Sequence, residues 1–120
     1  MDFNNIILIF QQLSGCGVEK INDNLPLINN AVSQLKGVID EENLTAISIR
    51  QCEYAAAVCA LYDFICKESA REKIVVTAGG KASANTDYSS RIDGAEKLKI
   101  NALSAIKYLL KDNDFLFMKM

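Results

Sequence analysis

Apolar side chains recur every three or four residues through most of the first half of the chain, a spacing that places them on one face of an α-helix. The pattern predicts helices over residues 2–14, 24–36 and 41–69. Asp2 is a plausible N-cap for the first helix, and Gly15 is expected to stop it because glycine ends a helix without a Cβ penalty. Residues 18–23 interrupt the pattern and predict a polar link.

The third predicted helix is the best candidate for the centre of the domain. Its residues 54–61 carry almost no charge, and a helix that is apolar on most sides is usually buried on most sides. Several of these residues are small, which lets neighbouring helices approach closely. The predicted core stripe consists of Leu44, Ile47, Cys52, Ala55, Ala56, Cys59, Tyr62, Ile65 and Cys66.

Residues 70–90 break the helical pattern. Ile74, Val75 and Val76 are β-branched and favour a strand, and the Gly-Gly pair at 79–80 favours a turn. The sequence therefore predicts a β-hairpin or a long arm over residues 73–89 that projects from the helical body.

A last helix is predicted over residues 90–111, with Ser90 and Asp93 resembling a capping box. An apolar tail follows over residues 113–120, which includes Phe115, Leu116, Phe117, Met118 and Met120. Two arrangements are open for it: the tail folds back to fill the core of its own chain, or it packs on a neighbouring chain as an added strand. The expected fold is mainly α: one domain over residues 1–120, built as a small bundle of about four helices with an arm and an extended apolar tail.

Composition removes several classes of function. The 120 residues include no His, which excludes His-dependent nucleophile activation and His metal ligation. The 13 Lys and Arg side chains against 15 Asp and Glu side chains give a net charge of −2, which argues against a dedicated nucleic-acid binder. Residues 1–60 carry a charge of −4 and residues 61–120 a charge of +2, an asymmetry that suits head-to-tail association.

The cysteines and the apolar runs point to a reduced, intracellular chain. Cys52, Cys59 and Cys66 are spaced by seven, so successive sulfurs on a helix lie about 10 Å apart, too far for a disulfide or a shared metal ion. We expect them to be core residues. No basic segment precedes the apolar run at residues 6–10, which is also far shorter than the ~20 residues of a membrane span.

Candidate chemistry is sparse. Residues 78–83 (AGGKAS) lack the earlier glycine that a phosphate-binding loop requires. A carboxylate-bound magnesium site is a weak alternative, with Glu68 and Glu72 or Asp93 and Glu96 as ligands, but each pair has a basic neighbour, as on a solvated helix face. We therefore expect no enzyme activity, no cofactor and no metal.

The order of parts resembles the small head-tail connector (adaptor) proteins of tailed bacteriophages, defective prophages and phage-tail-like particles. The resemblance spans roughly residues 22–118 and rests on helix order, arm position and tail character. Its sequence elements are NLPLI at 24–28, LYD at 61–63, TDYSS at 86–90 and YLLKD at 108–112. It does not extend to residues 2–14.

The resemblance implies a structural virion protein that forms a ring under the portal and joins the portal to the tail. The implied partners are further copies of the chain, the portal protein and tail-side connector or terminator proteins, with DNA passing through without sequence-specific binding and no membrane contact. The implied location is a virion or phage-like particle assembled in the bacterial cytoplasm. The arm and the tail would make the protein contacts, through Ile74, Val75, Val76, Tyr88, Phe115, Leu116, Phe117 and Met118.

An alternative function is a small intracellular interaction or regulatory protein. Such a protein would form a dimer through the Ala- and Cys-rich face of its long helix, with Ala56 at the contact.

Overall fold

The computed structural model describes residues 1–40, 44–79 and 85–110, and this part of the chain is mainly helical. It contains five α-helices and one short 3₁₀ turn, Lys107–Leu109. The α-helices are α1 (Phe3–Ser14), α2 (Val18–Asp23), α3 (Leu25–Val38), α4 (Ala46–Gly79) and α5 (Asn85–Ala105). Within the described ranges there is no strand, and a single antiparallel bridge joins Ile39 to Leu110.

Helix α4 forms the axis of the bundle and contacts α1, α3 and α5. Its 34 residues extend about 51 Å. Helix α1 runs parallel to α4, because the Asp2 amide donates to Glu53 at 2.6 Å and the Phe10 ring meets the Phe64 ring. Helix α5 runs antiparallel to α4, because Tyr108 near its end hydrogen-bonds Gln51 near the start of α4.

The core confirms the central position predicted for the long helix. Residues 55–58 and Ala60 of α4 are fully buried, and they face side chains from the surrounding helices. Among the largest fully buried side chains are Phe10 and Ile6 of α1. Small residues on α4 therefore let its neighbours pack closely, and the larger side chains of those neighbours fill the space.

The first helix forms as predicted. The Asp2 side chain accepts a hydrogen bond from the Asn4 amide at 2.9 Å, which satisfies one of the free amides at a helix start. Gly15 ends the helix with φ of +70°, a left-handed conformation that glycine adopts without steric penalty.

The β-hairpin predicted over residues 73–89 is wrong. Residues 73–79 continue α4 and residues 85–89 belong to α5; only residues 80–84 between them lie outside the described part. Helix formation is cooperative, so once a long helix exists, extending it through β-branched residues costs only a few tenths of a kcal/mol for each residue. An isolated two-stranded hairpin, by contrast, is only marginally stable in water.

Three smaller expectations also differ from the structure. Residues 18–23, predicted as a polar link, form α2, with Ile21 buried on the core. The last helix begins at Asn85, so Ser90 lies inside α5 and is no N-cap. Ile47, predicted in the core stripe, is 72% exposed. The predicted apolar tail, residues 113–120, lies outside the described residues.

Candidate interaction surface

A groove follows α4 on the side between α1 and α5. It consists of three adjoining hollows of about 220, 230 and 280 Å³, and neighbouring hollows share lining residues such as Arg91 and Leu98. From Gln51 to Glu68 the groove extends about 26 Å along α4. Each hollow is smaller than the roughly 300–1,000 Å³ of small-molecule pockets, so the groove suits a row of side chains better than one small ligand.

The lining changes character along the groove. One end is polar, where Lys20, Glu68 and Arg91 lie beside the turn between α1 and α2. The middle and the other end are mainly apolar. Their lining residues include Leu13, Leu61, Phe64, Ile65, Ala95, Leu98, Tyr54, Ala102 and Ala105.

Several large apolar side chains stay accessible along this groove. Leu13 is 36% exposed, while Tyr54 and Leu98 are each 38% exposed. Ile47, which does not line the hollows, stands seven residues before Tyr54, two turns earlier on the same face of α4. A row of accessible apolar side chains with a polar end is typical of a protein contact surface. We call the lining of the three hollows the α4/α5 groove.

Hydrogen bonds fix the Gln51 end of the groove. The Tyr108 hydroxyl donates to the Gln51 Oε1 at 2.7 Å and lies 3.2 Å from the Ser48 Oγ. Ser48 is in turn 3.0 Å from the Thr45 hydroxyl, which accepts from the Ser48 amide and caps the start of α4. This network ties the end of α5 to the first turn of α4 and holds that end of the groove in shape.

A second polar cluster lies around Lys99 on α5. Its ammonium group is 4.7 Å from the centre of the Tyr62 ring, a cation–π contact. Burial raises the pKa of Asp63, and the Lys99 charge opposes that rise. Burial also raises the pKa of the Cys59 thiol to about 11, again against the charge of Lys99. A hydrogen bond with Cys66 raises the pKa of the Tyr62 hydroxyl.

The Lys99 cluster is suited to structure more than to chemistry. A thiol with a raised pKa is a poor nucleophile, since the thiolate is the reactive form. All four cysteines are free, and in the described ranges no group of three His, Cys, Asp or Glu side chains could hold a metal ion. Glu68 instead pairs with Arg71 at 3.7 Å, and Asp93 and Glu96 are exposed on α5. The magnesium alternative thus gains no ligand set from this part of the chain.

Four of the eight predicted contact residues lie in described helices. Ile74, Val75 and Val76 lie in the last turns of α4, and Tyr88 lies in the first turn of α5. Phe115, Leu116, Phe117 and Met118 lie outside the described residues.

The face proposed for the alternative dimer is already occupied. Ala55, Ala56 and Cys52 are fully buried within a single copy of the chain. Cys59 and Cys66 are only partly buried, yet they lie in the Lys99 cluster. A dimer through Ala56 would require the bundle to open.

The residues that line the accessible groove were not predicted as contacts. Leu98 lines two of the hollows and is 38% exposed. Ile47, which the sequence predicts in the core stripe, lies outside the lining and is 72% exposed. The sequence does contain a signal for one continuous apolar face of α4, because Ile47, Tyr54 and Leu61 are spaced by seven residues, about two helical turns.

Comparison with protein families, curated proteins and solved structures finds no match to this chain. In the part of the chain that the structure describes, no helix is long and apolar enough to cross a membrane.

Proposed function

We propose that this protein is a structural connector that assembles into a ring, docks under a portal and joins it to the tail of a phage or phage-like particle. The observation that carries the proposal is the pairing of a helical body with an accessible apolar groove along its long axis. The order of sequence elements that resembles head-tail connectors adds to it. The partners would be copies of the chain, the portal and tail-side proteins, within a particle assembled in the bacterial cytoplasm.

The build of the body suits a ring subunit. A 34-residue helix packed on three sides by other helices resists bending, because fully buried residues such as Ala56 and Val58 leave no room for rearrangement. The α4/α5 groove remains open beside that helix, where it can accept part of a neighbour.

Charge distribution on α5 suits a channel that passes DNA. The exposed side chains Arg91, Asp93, Glu96 and Lys97 are two basic and two acidic residues, and these four form no basic stripe. A surface that neutralises few phosphates holds DNA weakly, which allows a duplex to slide.

The dimeric regulatory alternative has less support. It depends on the Ala-rich face of α4, where Ala56 is buried against the chain's own helices. No observation on the described residues favours it over the connector.

Co-sedimentation tests the proposal. The full chain is mixed with purified rings of the portal protein encoded in the same genome and centrifuged in a density gradient. The connector proposal predicts that several copies per portal ring migrate with the portal. Migration of all the protein as free monomer, over a range of concentrations, would contradict the proposal.

A further inference from the structure

We infer that residues 115–118 of the same copy fill the apolar part of the α4/α5 groove in the free subunit. They form an internal cover that a partner has to displace before it enters the groove. The inference concerns a single copy and does not depend on the connector function. It gives one occupant to the apolar surface around Leu98, which is 38% exposed in the described part of the chain.

The described chain ends beside one end of the groove. The Tyr108 hydroxyl donates to Gln51 at 2.7 Å, and Gln51 lines the hollow of about 280 Å³. Ala105 lines the same hollow and precedes Leu110, the last described residue, by only five positions. The backbone bridge between Leu110 and Ile39 fixes the point from which residues 111–120 start. The segment therefore leaves the body at the Gln51 end of the groove.

Reach and length both suit this occupant. Five residues from Leu110 to Phe115 span at most about 17 Å when extended, enough to turn back onto the adjoining hollow. Residues 115–118 add about 13 Å. Tyr54 and Leu61, which line the 280 and 230 Å³ hollows, lie about 10 Å apart along α4. Residues 115–118 are therefore long enough to cross from one hollow to the next.

The chemistry of the segment matches these two hollows. Residues 115–118 (Phe-Leu-Phe-Met) are four consecutive large apolar residues, and charged residues precede and follow them. Both hollows are lined mainly by apolar side chains, and Leu98 lines each of them. Contact between the two apolar surfaces removes both from water, which is favourable, while the charged flanks stay hydrated.

Effective concentration selects the same copy over a second copy. A segment joined to its site by a short flexible linker is present there at an effective concentration on the order of millimolar. A second copy offers the same four residues to the same hollows, so its contacts are no better. It competes only when the chain itself approaches a millimolar concentration. In the free subunit at lower concentrations, the groove is therefore filled from within.

Photo-crosslinking on the full chain tests the inference. Benzoylphenylalanine replaces Leu98 in an unlabelled chain, which is unfolded and refolded together with a tenfold excess of ¹⁵N-labelled native chain, diluted to micromolar concentration and irradiated. We expect unlabelled peptides containing position 98 to be joined mainly to unlabelled peptides containing residues 112–119. The matched control replaces Ile100, which lies on the same helix with the same 38% exposure but does not line the groove, and it should give no such product.

A double-mutant cycle supplies an independent readout. Leu98→Ala and Phe117→Ala are each expected to raise the equilibrium constant of unfolding in urea titration. Because the two side chains share one contact, the effect of Phe117→Ala on that constant should shrink by roughly threefold or more once position 98 is already Ala. In the matched cycle with Ile100→Ala, the effect of Phe117→Ala should stay within about twofold of its effect in the native chain.

The outcomes separate this inference from the proposed function. Crosslinks made mainly to labelled chains would assign the groove to a second copy and overturn the inference. The absence of crosslinks to residues 112–119 would overturn it as well, as would additive effects of Leu98→Ala and Phe117→Ala. Co-sedimentation with the portal decides the connector function by itself, so either proposal can fail while the other stands.

Discussion

Replacing Phe10 tests whether the first helix belongs to the body of the protein. Phe10 is fully buried, and its ring meets Phe64 edge-on, with centroids 5.7 Å apart and an angle of 84° between the planes. Phe10→Ala removes the ring and leaves a cavity between α1 and α4, which typically costs about 3–5 kcal/mol. The edge-to-face contact accounts for about 0.5–1.5 kcal/mol of such a loss.

A loss of this size is large against the whole stability of a domain, about 5–15 kcal/mol. At about 4 °C per kcal/mol for a domain of this size, the melting temperature should fall by roughly 12–20 °C. Urea titration followed by circular dichroism at 222 nm measures the free energy of unfolding. Leu8→Ala is the matched control: Leu8 lies on the same helix but is 56% exposed, so the change should stay within about 0.5 kcal/mol.

The reasoning is refuted if Phe10→Ala loses less than about 1 kcal/mol, or if it loses no more than Leu8→Ala. Either result would mean that α1 is a detachable segment and that α4 keeps its core without it. The α4/α5 groove, which α1 helps to form, would then have no fixed shape.

Four further predictions concern single sites. Cys59, with its pKa raised to about 11, should react with iodoacetamide at pH 8 roughly 100-fold more slowly than an unperturbed thiol, and equal labelling rates would contradict its burial. Burial raises the pKa of Asp63 in the folded state, so the folded protein is favoured while this carboxyl is protonated, below its unfolded pKa, and loses stability as the pH rises and the carboxyl ionises. The stability of Asp63→Asn relative to wild type should therefore increase as the pH rises from about 3 to about 7. A difference in stability that does not change with pH would contradict this. Tyr108→Phe removes the hydrogen bonds at the end of the groove and should lower the free energy of unfolding by about 1 kcal/mol in urea titration, whereas no change would mean that water replaces them. Val75→Pro should lower stability by about 3 kcal/mol and reduce the helical signal, because it breaks α4; an unchanged stability and an unchanged helical signal would contradict a continuous helix through residue 75.

Local signals in the sequence predicted the elements whose ends are set by their own residues. Asp2 and Gly15 mark the bounds of α1 because a cap and a left-handed glycine act within one turn. The uncharged run in α4 correctly placed that helix at the centre, since a helix apolar all round has to be covered all round.

Features that depend on distant contacts were not predictable in the same way. Val75 and its neighbours favour strands as isolated residues, but strand pairing needs a partner, and the preceding helix offers a cheaper continuation. Ile47 and Leu98 have the spacing of core residues, yet the assembled bundle leaves Ile47 72% exposed and Leu98 38% exposed. Which apolar face stays uncovered is a property of the assembled bundle.

Native mass spectrometry of the chain, alone and mixed with the portal protein encoded in the same genome, tests the connector proposal most directly. The connector proposal predicts one dominant assembly with a fixed number of copies, either in the free protein or on the portal. Monomers and dimers alone, at every concentration and with the portal present, would contradict it.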